Sequence, residues 1–414
     1  MPMNNWKKNI SLFLIGQFLS GVTSMIVQYA IIWYLTKETG SATVLSFATL
    51  LGMLPMVFLS PFIGPFVDRL NKKMLLIVPD LVAALFAVIL SISAVIYHTF
   101  PLWLVFVSLL VRSIAQTFQM PTIQSILPTM VPDEQLTKTN GQLGMVQSAN
   151  MIIAPALGAF LFSIVPISML ILLDVLGAAV GVTLLMFVDI VENPKYDEKI
   201  HILDDTKFGL KKLTEKKGLW YLTLIGSIFV LLFMPAASLY PLMTMSYFKG
   251  NVSQAGIVEV IYSVGMLAGG TFIGVFGNWS DRMKPIILSC FVMGLSIGFS
   301  GLLPGNQRGF AAFVILNLIA GLATPFFNTL VMAMIQQSYP PQQLGKILGI
   351  FNSLLSITGP VGLIFAGPLA DKIGVEKLFI IAGIGAFICG ILILLIPIVR
   401  NYDKQLEKEK ANSI

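Results

Sequence analysis

Long apolar stretches alternate with short polar segments along the entire chain, and this alternation predicts its elements. Twelve of the stretches are long enough to cross a bilayer, because a spanning helix needs about 20 mostly apolar residues. They form two blocks of six, separated by one longer polar segment near the midpoint. The pattern predicts an all-α membrane protein with twelve transmembrane helices in two six-helix bundles. The predicted spans are roughly 10–34, 42–66, 74–97, 101–123, 139–163, 167–190, 219–245, 254–277, 285–304, 310–337, 345–369 and 377–399.

The polar segment between the sixth and seventh spans divides the chain into three predicted parts. Residues 1–190 contain the first six-helix bundle, and residues 219–414 contain the second bundle with a short tail. The linker between them, residues 191–218, is mixed in charge. Its second part, from Lys207 to Leu213, has the pattern of a short helix that lies on the membrane surface.

Composition excludes several classes of protein. The chain is 56% hydrophobic and only 11% charged, whereas a soluble domain carries about 25% charged residues. Its net charge of +6 comes from loop residues that form no basic face, so no nucleic-acid partner is expected. No cluster of His, Cys and carboxylates has metal-site spacing, and the sequence contains no glycine-rich ATP-binding loop. We therefore expect no metal, no cofactor, no catalytic residue and no enzymatic activity.

Positive charges in the loops predict the orientation, because cytoplasmic loops are enriched in Lys and Arg. With a cytoplasmic N-terminus, the inside segments hold 20 of these residues and the outside segments hold 5. The linker contributes seven of the 20, and without it the ratio is still 13 to 5. Both termini are therefore expected on the cytoplasmic side of the membrane.

A short motif recurs at equivalent turns of the two halves. Residues 64–69 read GPFVDR after the second span, and residues 277–282 read GNWSDR after the eighth. A weaker copy, GPLADK, occupies residues 367–372 after the eleventh span. The loop at residues 131–138 also resembles the loop at residues 339–346. Repeated halves of six spans are typical of secondary transporters.

The turn after the second span resembles a motif of a known family, the major facilitator superfamily. That motif reads Gly-x-x-x-Asp-Arg-x-Gly-Arg/Lys-Arg/Lys, and Asn71 here replaces its second glycine. Over nearly the whole chain, the sequence resembles the bacterial macrolide-efflux branch, of the drug:proton antiporter type. The stretches that carry this likeness are residues 4–7, 30–46, 112–114, 131–138, 174–178, 265–270 and 370–375.

The resemblance implies roles for the residues of the repeated turns. The family uses its first-half aspartate, here Asp68, to latch span two against span eleven while the cytoplasmic side is closed. Asp281 occupies the matching turn of the second half, where a simple polar turn is the alternative interpretation. The gate residues implied in this way are Gly64, Asp68, Arg69, Lys72, Asp281 and Arg282.

Antiporters of this family also carry a Gly-Pro motif in span five, and a looser version is found here. Residues 154–159 read APALGA, so Pro155 and Gly158 are kept while small residues replace the other glycines. This motif favours export over uptake. The usual span-four pattern, Arg-x-x-Gln-Gly, is shifted, because Arg112 is followed by Gln116 with no glycine after it.

Four charged residues lie well inside predicted spans, namely Asp80, Arg112, Asp174 and Glu259. An ionised group at the bilayer centre costs about 2.5–3.5 kcal/mol, so each needs a partner or water. Arg112, near the midplane, is interpreted as a substrate-binding or proton-coupling cation, with a structural ion pair as the alternative. Asp80 and Asp174 are expected to be structural, pairing with Arg112 or hydrogen bonding to backbone near Pro79, with proton carriage as the alternative. Glu259 is the preferred proton site, with a rim residue solvated from outside as the alternative.

A polar stripe follows one face of the first span. Gln17, Ser20, Ser24 and Gln28 are three or four residues apart, which places them one above the other on a helix. A polar stripe on a membrane helix is expected to face a cavity rather than lipid. Hydrogen bonding between helices is the alternative.

The residues and the resemblance together imply a secondary active multidrug or macrolide-type efflux transporter. It is expected to work by alternating access and proton antiport, with protons and an amphiphilic small molecule as its ligands. Its expected location is the bacterial cytoplasmic membrane, where it crosses the lipid bilayer many times as a monomer. Two alternatives stay open, namely export of an endogenous amphiphile such as a siderophore, and uptake by proton symport.

Overall fold

The computed structural model describes residues 5–190, 202–277 and 279–411. Within these ranges almost all residues are helical and no strand occurs. The first helices are α1 (Trp6–Thr39), α2 (Ala42–Arg69), α3 (Lys72–Tyr97), α4 (Leu102–Met130), α5 (Asp133–Ile164), α6 (Ile167–Leu170) and α7 (Leu173–Met186). The rest are α8 (Ile202–Glu215), α9 (Lys217–Ser238), α10 (Tyr240–Leu242), a π-helix (Met243–Tyr247), α11 (Val252–Phe276), α12 (Met283–Ser300), α13 (Gln307–Ser338), α14 (Pro341–Ile373), α15 (Val375–Leu395), α16 (Pro397–Arg400) and α17 (Tyr402–Ala411).

Twelve helical segments among the described residues are long and apolar enough to cross a membrane. One of them, Ile167–Met186, is built from α6 and α7 with a short turn between them. The prediction of an all-α protein with twelve transmembrane helices is therefore confirmed. Several spans contain an internal proline, as in Pro79 of α3 and Pro155 of α5. Membrane helices tolerate such prolines because neighbouring groups satisfy the freed backbone atoms.

Local sequence explains where several helices begin. Asn71 caps α3 by accepting a hydrogen bond from the backbone nitrogen of Met74 at 2.8 Å. Its φ of −62° is one that any residue adopts, so the position does not require glycine, and Asn is a favourable capping residue there. Pro132 and Pro340 immediately precede α5 and α14, so the similar loops of the two halves both end at a proline. A proline has no N–H to leave unsatisfied at a helix start.

The chain divides into two compact units by its internal contacts. The first unit comprises Met1–Glu38 and Ala48–Ile200, and the second comprises Thr39–Phe47 and His201–Ile414. In the first unit, α3 packs against both α4 and α7. Side chains from α1, α3 and α4 share one of its buried apolar clusters, which includes Ile10, Phe13, Leu76, Ile126 and Leu127.

Glycines allow two close helix pairs in the second unit. α11 packs on α13, and a Cβ atom on Gly265 would lie 2.6 Å from the backbone oxygen of Leu318. α12 packs on α15, and a Cβ atom on Gly383 would lie 2.3 Å from the Cα atom of Gly298. A methyl group fits neither place without a shift of backbone, so these glycines set the spacing of both pairs.

The second part of the predicted linker forms α8, which packs against α14. Leu213 is fully buried, and the Tyr339 hydroxyl donates a hydrogen bond to the backbone oxygen of Lys212 at 2.9 Å. A 2.8 Å hydrogen bond from Lys212 lowers the pKa of the Glu215 carboxyl below its ordinary value. The short helix expected here is present, whereas residues 191–201 of the linker lie outside the described part of the chain.

Candidate functional site

A buried ion pair lies inside the first unit. Arg112, the eleventh residue of α4, pairs through Nη1 with Oδ2 of Asp174 in the first turn of α7. Both side chains are only 2% exposed. Arg112 Nη2 also donates to Ser24 of α1, at 3.2 Å to Oγ and 3.4 Å to the backbone oxygen. One arginine thus joins three helices. Its ion pair with Asp174 gives each of these two charges the partner that an ionised group inside a membrane requires.

A second carboxylate of this unit, the half-buried Asp80 on α3, has a different environment. Its Oδ2 accepts a hydrogen bond from Ser20 Oγ at 2.9 Å, and its Oδ1 accepts one from Gln119 Nε2 at 3.0 Å. A Cβ atom on Gly181 would lie 3.2 Å from Asp80 Oδ2, so the backbone of α7 passes close to the carboxylate. The hydrogen bonds of Asp80 therefore come from two neutral side chains.

The partner expected for Asp80 was wrong. The sequence suggested Arg112 or nearby backbone, but the guanidinium is already bound to Asp174 and Ser24. Gln119 was not predicted at all. It lies seven residues after Arg112, which is about two helical turns, so both side chains share one face of α4. That spacing is the signal that could have identified it.

The polar stripe of α1 faces these charged groups at its centre. Ser20 and Ser24 contact Asp80 and Arg112, respectively. At the two ends of the stripe, Gln17 and Gln28 are half-buried. The middle of the stripe therefore makes interhelical hydrogen bonds, which is the alternative to lining a cavity. A cavity-lining role for the two glutamines stays a prediction.

Glu259 of α11 lies in the second unit and is half-buried. Within the described residues its carboxylate has no hydrogen-bond or ion-pair partner. Tyr262 follows Glu259 three residues later, on the same face of α11, and its ring adjoins the Tyr240 ring. The ring centroids of these tyrosines are 6.2 Å apart, and the Tyr262 hydroxyl is 2.9 Å from Thr324 Oγ1. Glu259 therefore adjoins a small cluster of aromatic and hydroxyl groups.

The repeated turn of the second half is held by the C-terminal helix. Arg282 forms an ion pair with Asp403 of α17, with Nε 2.8 Å from Oδ1, and its backbone nitrogen donates to Oδ2 at 2.7 Å. Asp281 accepts a hydrogen bond from the backbone nitrogen of Met283 at 3.2 Å and lies 3.4 Å from Lys404 Nζ. Asp403 is fully buried and was not predicted.

The repeated turn of the first half is described only in part. The backbone of α2 is helical through Arg69, but the side chains of Asp68 and Arg69 and the surroundings of Gly64 lie outside what the structure describes. Lys72 is buried in the first turn of α3. Next to it, Lys73 Nζ donates to the backbone oxygens of residues 186 and 188, both at 3.1 Å. The latch role of Asp68 stays a prediction.

The span-five motif packs α5 against α1 in the first unit. Pro155 and Gly158 are both buried. A Cβ atom on Gly158 would lie 3.5 Å from side-chain atoms of Ile26 and Trp33. The small residue therefore brings the two helices into contact at this level.

Asp371, near the end of α14, is a residue whose contacts the sequence did not predict. Its carboxylate accepts hydrogen bonds from the backbone nitrogens of Ala42 at 2.6 Å and Thr43 at 2.9 Å, and from Ser41 Oγ at 2.8 Å. All four residues belong to the second unit. Asp371 thus caps the start of α2, where the helix dipole favours a negative charge. The third, weaker copy of the motif therefore has a structural function.

These features define a class of protein, a helical protein that crosses a membrane many times and carries charged groups inside its bundles. A family model described as Major Facilitator Superfamily matches residues 13–247 and 222–413. The chain is also 38% identical to macrolide efflux protein A of Streptococcus pyogenes, over 97% of this chain and 98% of that relative. The chain belongs to the major facilitator superfamily, a family of transporters, and within it to the macrolide-efflux branch.

More distant similarities agree with this assignment. The chain is 23% identical to the multidrug efflux pump Tap of Mycolicibacterium fortuitum, over 97% of this chain and 99% of that protein. The crystal structure of a bacterial homologue of the iron transporter ferroportin, in an inward-facing state, superimposes with a TM-score of 0.72 at 13% identity. That alignment covers 94% of this chain and 98% of the other, and at such low identity it shows the fold alone.

Proposed function

We propose that the protein is a secondary active exporter of amphiphilic compounds of the macrolide type, and that it exchanges them for protons. The likeness to macrolide efflux protein A, 38% identical over nearly the full length of both chains, supports this choice of cargo. A second relative is named a multidrug efflux pump, which supports a cargo range wider than one compound.

The observation that supports the proton coupling is the contrast between two carboxylates of the first unit, the buried Asp174 and the half-buried Asp80. Asp174 faces the Arg112 guanidinium, so its negative charge is neutralised in place. Asp80 is held by Ser20 and Gln119, whose neutral groups can hydrogen bond to a carboxylate or to a carboxylic acid. Asp80 can therefore gain and lose a proton without losing its partners.

Protonation of Asp80 changes the forces between four helices. It removes a negative charge from a partly buried site near the Arg112–Asp174 pair, where charges interact more strongly than in water. Asp80 is bonded to α1 and α4, and Arg112 is bonded to α1 and α7. The two protonation states then favour different arrangements of these helices. A cargo that prefers one arrangement is thereby coupled to the proton, as alternating access requires.

We also propose an orientation, a location and a gate for the protein. Both termini lie in the cytoplasm, as the distribution of Lys and Arg supports, and the protein acts as a monomer in the bacterial cytoplasmic membrane. Asp68 and Arg69 form the inner latch, whereas Asp281 and Arg282 anchor the C-terminal helix. Glu259, half-buried and about one helical turn before Tyr262 on α11, is the second candidate for a proton site.

Export is tested by the accumulation of labelled macrolides, other drugs and siderophores in bacteria that express the protein. Expressing cells should hold severalfold less macrolide than cells with an empty vector, and a protonophore should remove the difference. Asp80→Asn should abolish export at unchanged membrane expression, whereas the exposed control Asp189→Asn should export normally. Reduced accumulation of siderophores alone would replace the proposed cargo. Efflux that persists without a proton gradient would reject the coupling.

A further inference from the structure

The first turns of α1 and α5 enclose a cavity that the proposed coupling site does not use. Both helices belong to the first unit, and both begin at the same end of it, because they are the first and fifth of alternating spans. Farther along they touch, where Gly158 packs against Ile26 and Trp33. Near their starts they diverge around a cavity of about 540 Å³. The cavity therefore lies at a membrane face, where α1 and α5 separate.

The lining of this cavity is apolar on one side and polar on the other. α1 contributes Ile10, Leu14 and Ile15, and Ile15 is 47% exposed. The described residues of α5 that line the cavity are all polar. They form its second wall, with Gln135 and Gln142 at the two ends. A ligand that fills the cavity therefore has an apolar part and a polar part.

Each helix also contributes one cation to the lining. Lys7 comes from the first turn of α1 and Lys138 from the second turn of α5, and both are exposed. Lys7 Nζ lies 5.8 Å from the centroid of the Trp6 ring, which also lines the cavity. Among the lining residues that the structure describes there is no carboxylate, so the cavity is electropositive. Tryptophan is enriched at the level of lipid headgroups.

We propose that this cavity binds one phospholipid with an anionic headgroup. Its phosphate lies between Lys7 and Lys138, and an acyl chain follows the apolar wall of α1. Basic pockets between transmembrane helices recognise anionic headgroups in this way. The two lysines repel a cationic drug, and a free phosphate ion leaves the apolar wall uncovered. The site is separate from cargo export and does not depend on it.

Native mass spectrometry of the purified full-length protein tests the site directly. With added phosphatidylglycerol, the wild-type protein should retain one lipid that it does not retain from phosphatidylethanolamine. Lys7→Gln/Lys138→Gln should weaken that binding about thirtyfold, because each surface lysine contributes roughly a factor of five to the attraction. Ile15→Ser should also weaken it, because the apolar wall loses part of its surface.

A charge-matched control is available at the opposite ends of the spans. Lys37 and Lys249 are exposed, so Lys37→Gln/Lys249→Gln removes the same charge and should bind phosphatidylglycerol like the wild-type protein. Each variant is first required to elute like the wild-type protein in size-exclusion chromatography. Equal lipid binding by the two double variants would overturn the proposal. Displacement of the lipid by excess inorganic phosphate would also overturn it, because the cavity would then be a small-anion site.

Discussion

Neither charge of the Arg112–Asp174 pair can be removed alone at low cost. Breaking a buried ion pair by removing one partner costs about 3–5 kcal/mol, because the other charge is left uncompensated. Replacing both residues by neutral groups of similar shape removes that penalty. The pair therefore offers a way to separate its contribution to stability from its contribution to transport.

The pair predicts a non-additive pattern of stability. Arg112→Gln and Asp174→Asn should each lower the melting temperature of the purified protein strongly, whereas the double variant should recover most of the loss. The recovered protein should still fail to export macrolide, because the charge beside Asp80 is gone. Thermal melting and drug accumulation are the two measurements. Normal export by the double variant would make the pair purely structural, and additive losses of stability would contradict the pairing itself.

At this scale the sequence identified the charges and the pairing of Asp174 with Arg112, but not Ser20 and Gln119 as the partners of Asp80. A charge inside an apolar run is conspicuous because of its cost in a membrane, which is why Arg112, Asp174 and Asp80 were candidates. Arg112 and Asp174 are 62 positions apart along the chain, and Ser20 and Asp80 are 60 positions apart. Such contacts depend on how helices pack, and periodicity along one helix does not determine the packing.

At the scale of an element, two adjacent glycines of α11 have opposite environments. A Cβ atom on Gly269 would lie 2.2 Å from the backbone oxygen of Leu322 in α13. A Cβ atom on Gly270 would meet nothing within 4 Å. Alanine is about 1 kcal/mol better than glycine inside a helix, so the intrinsic gain is the same at both positions. Only the contact with α13 distinguishes them.

The two alanine substitutions should therefore have opposite effects on stability. Gly269→Ala should destabilise the protein by about 1–3 kcal/mol, the usual cost of overpacking, because a backbone atom must move. Gly270→Ala should be neutral or slightly stabilising and serves as the matched control. Melting of both variants in the same detergent checks the prediction. Equal melting temperatures would show that α11 and α13 do not approach each other so closely.

Helix boundaries were less predictable than helix positions. α5 begins at Asp133, six residues before the predicted start of span five, because its polar first turns carry no hydropathy signal. Asp133 and Glu134 suit a helix N-terminus, where negative charge is favourable. α12 ends at Ser300, short of the predicted residue 304, and Gly301 follows it as the C-cap. Hydropathy marks the part of a helix inside the bilayer, whereas caps and turn residues decide where the helix stops.

At the scale of the whole molecule, the membrane made the architecture predictable. A bilayer requires every backbone polar group to be satisfied within its own helix, over a nearly fixed length, so the number of spans follows from hydropathy. The ion pair of Arg282 with Asp403 was missed because the C-terminal helix lies outside the spans and carries mixed charge. For the molecule as a whole, we propose that a proton on Asp80 drives the export of cargo.

The most direct test uses the purified protein in sealed vesicles with an imposed pH gradient and a labelled macrolide. At one proton per molecule of cargo, a gradient of one pH unit can sustain up to about tenfold accumulation. The wild-type protein should concentrate the drug in the direction opposite to the proton flow. Asp80→Asn should exchange drug across the membrane without concentrating it. Accumulation by Asp80→Asn equal to that of the wild-type protein, or no response of the wild-type protein to the gradient, would contradict the account.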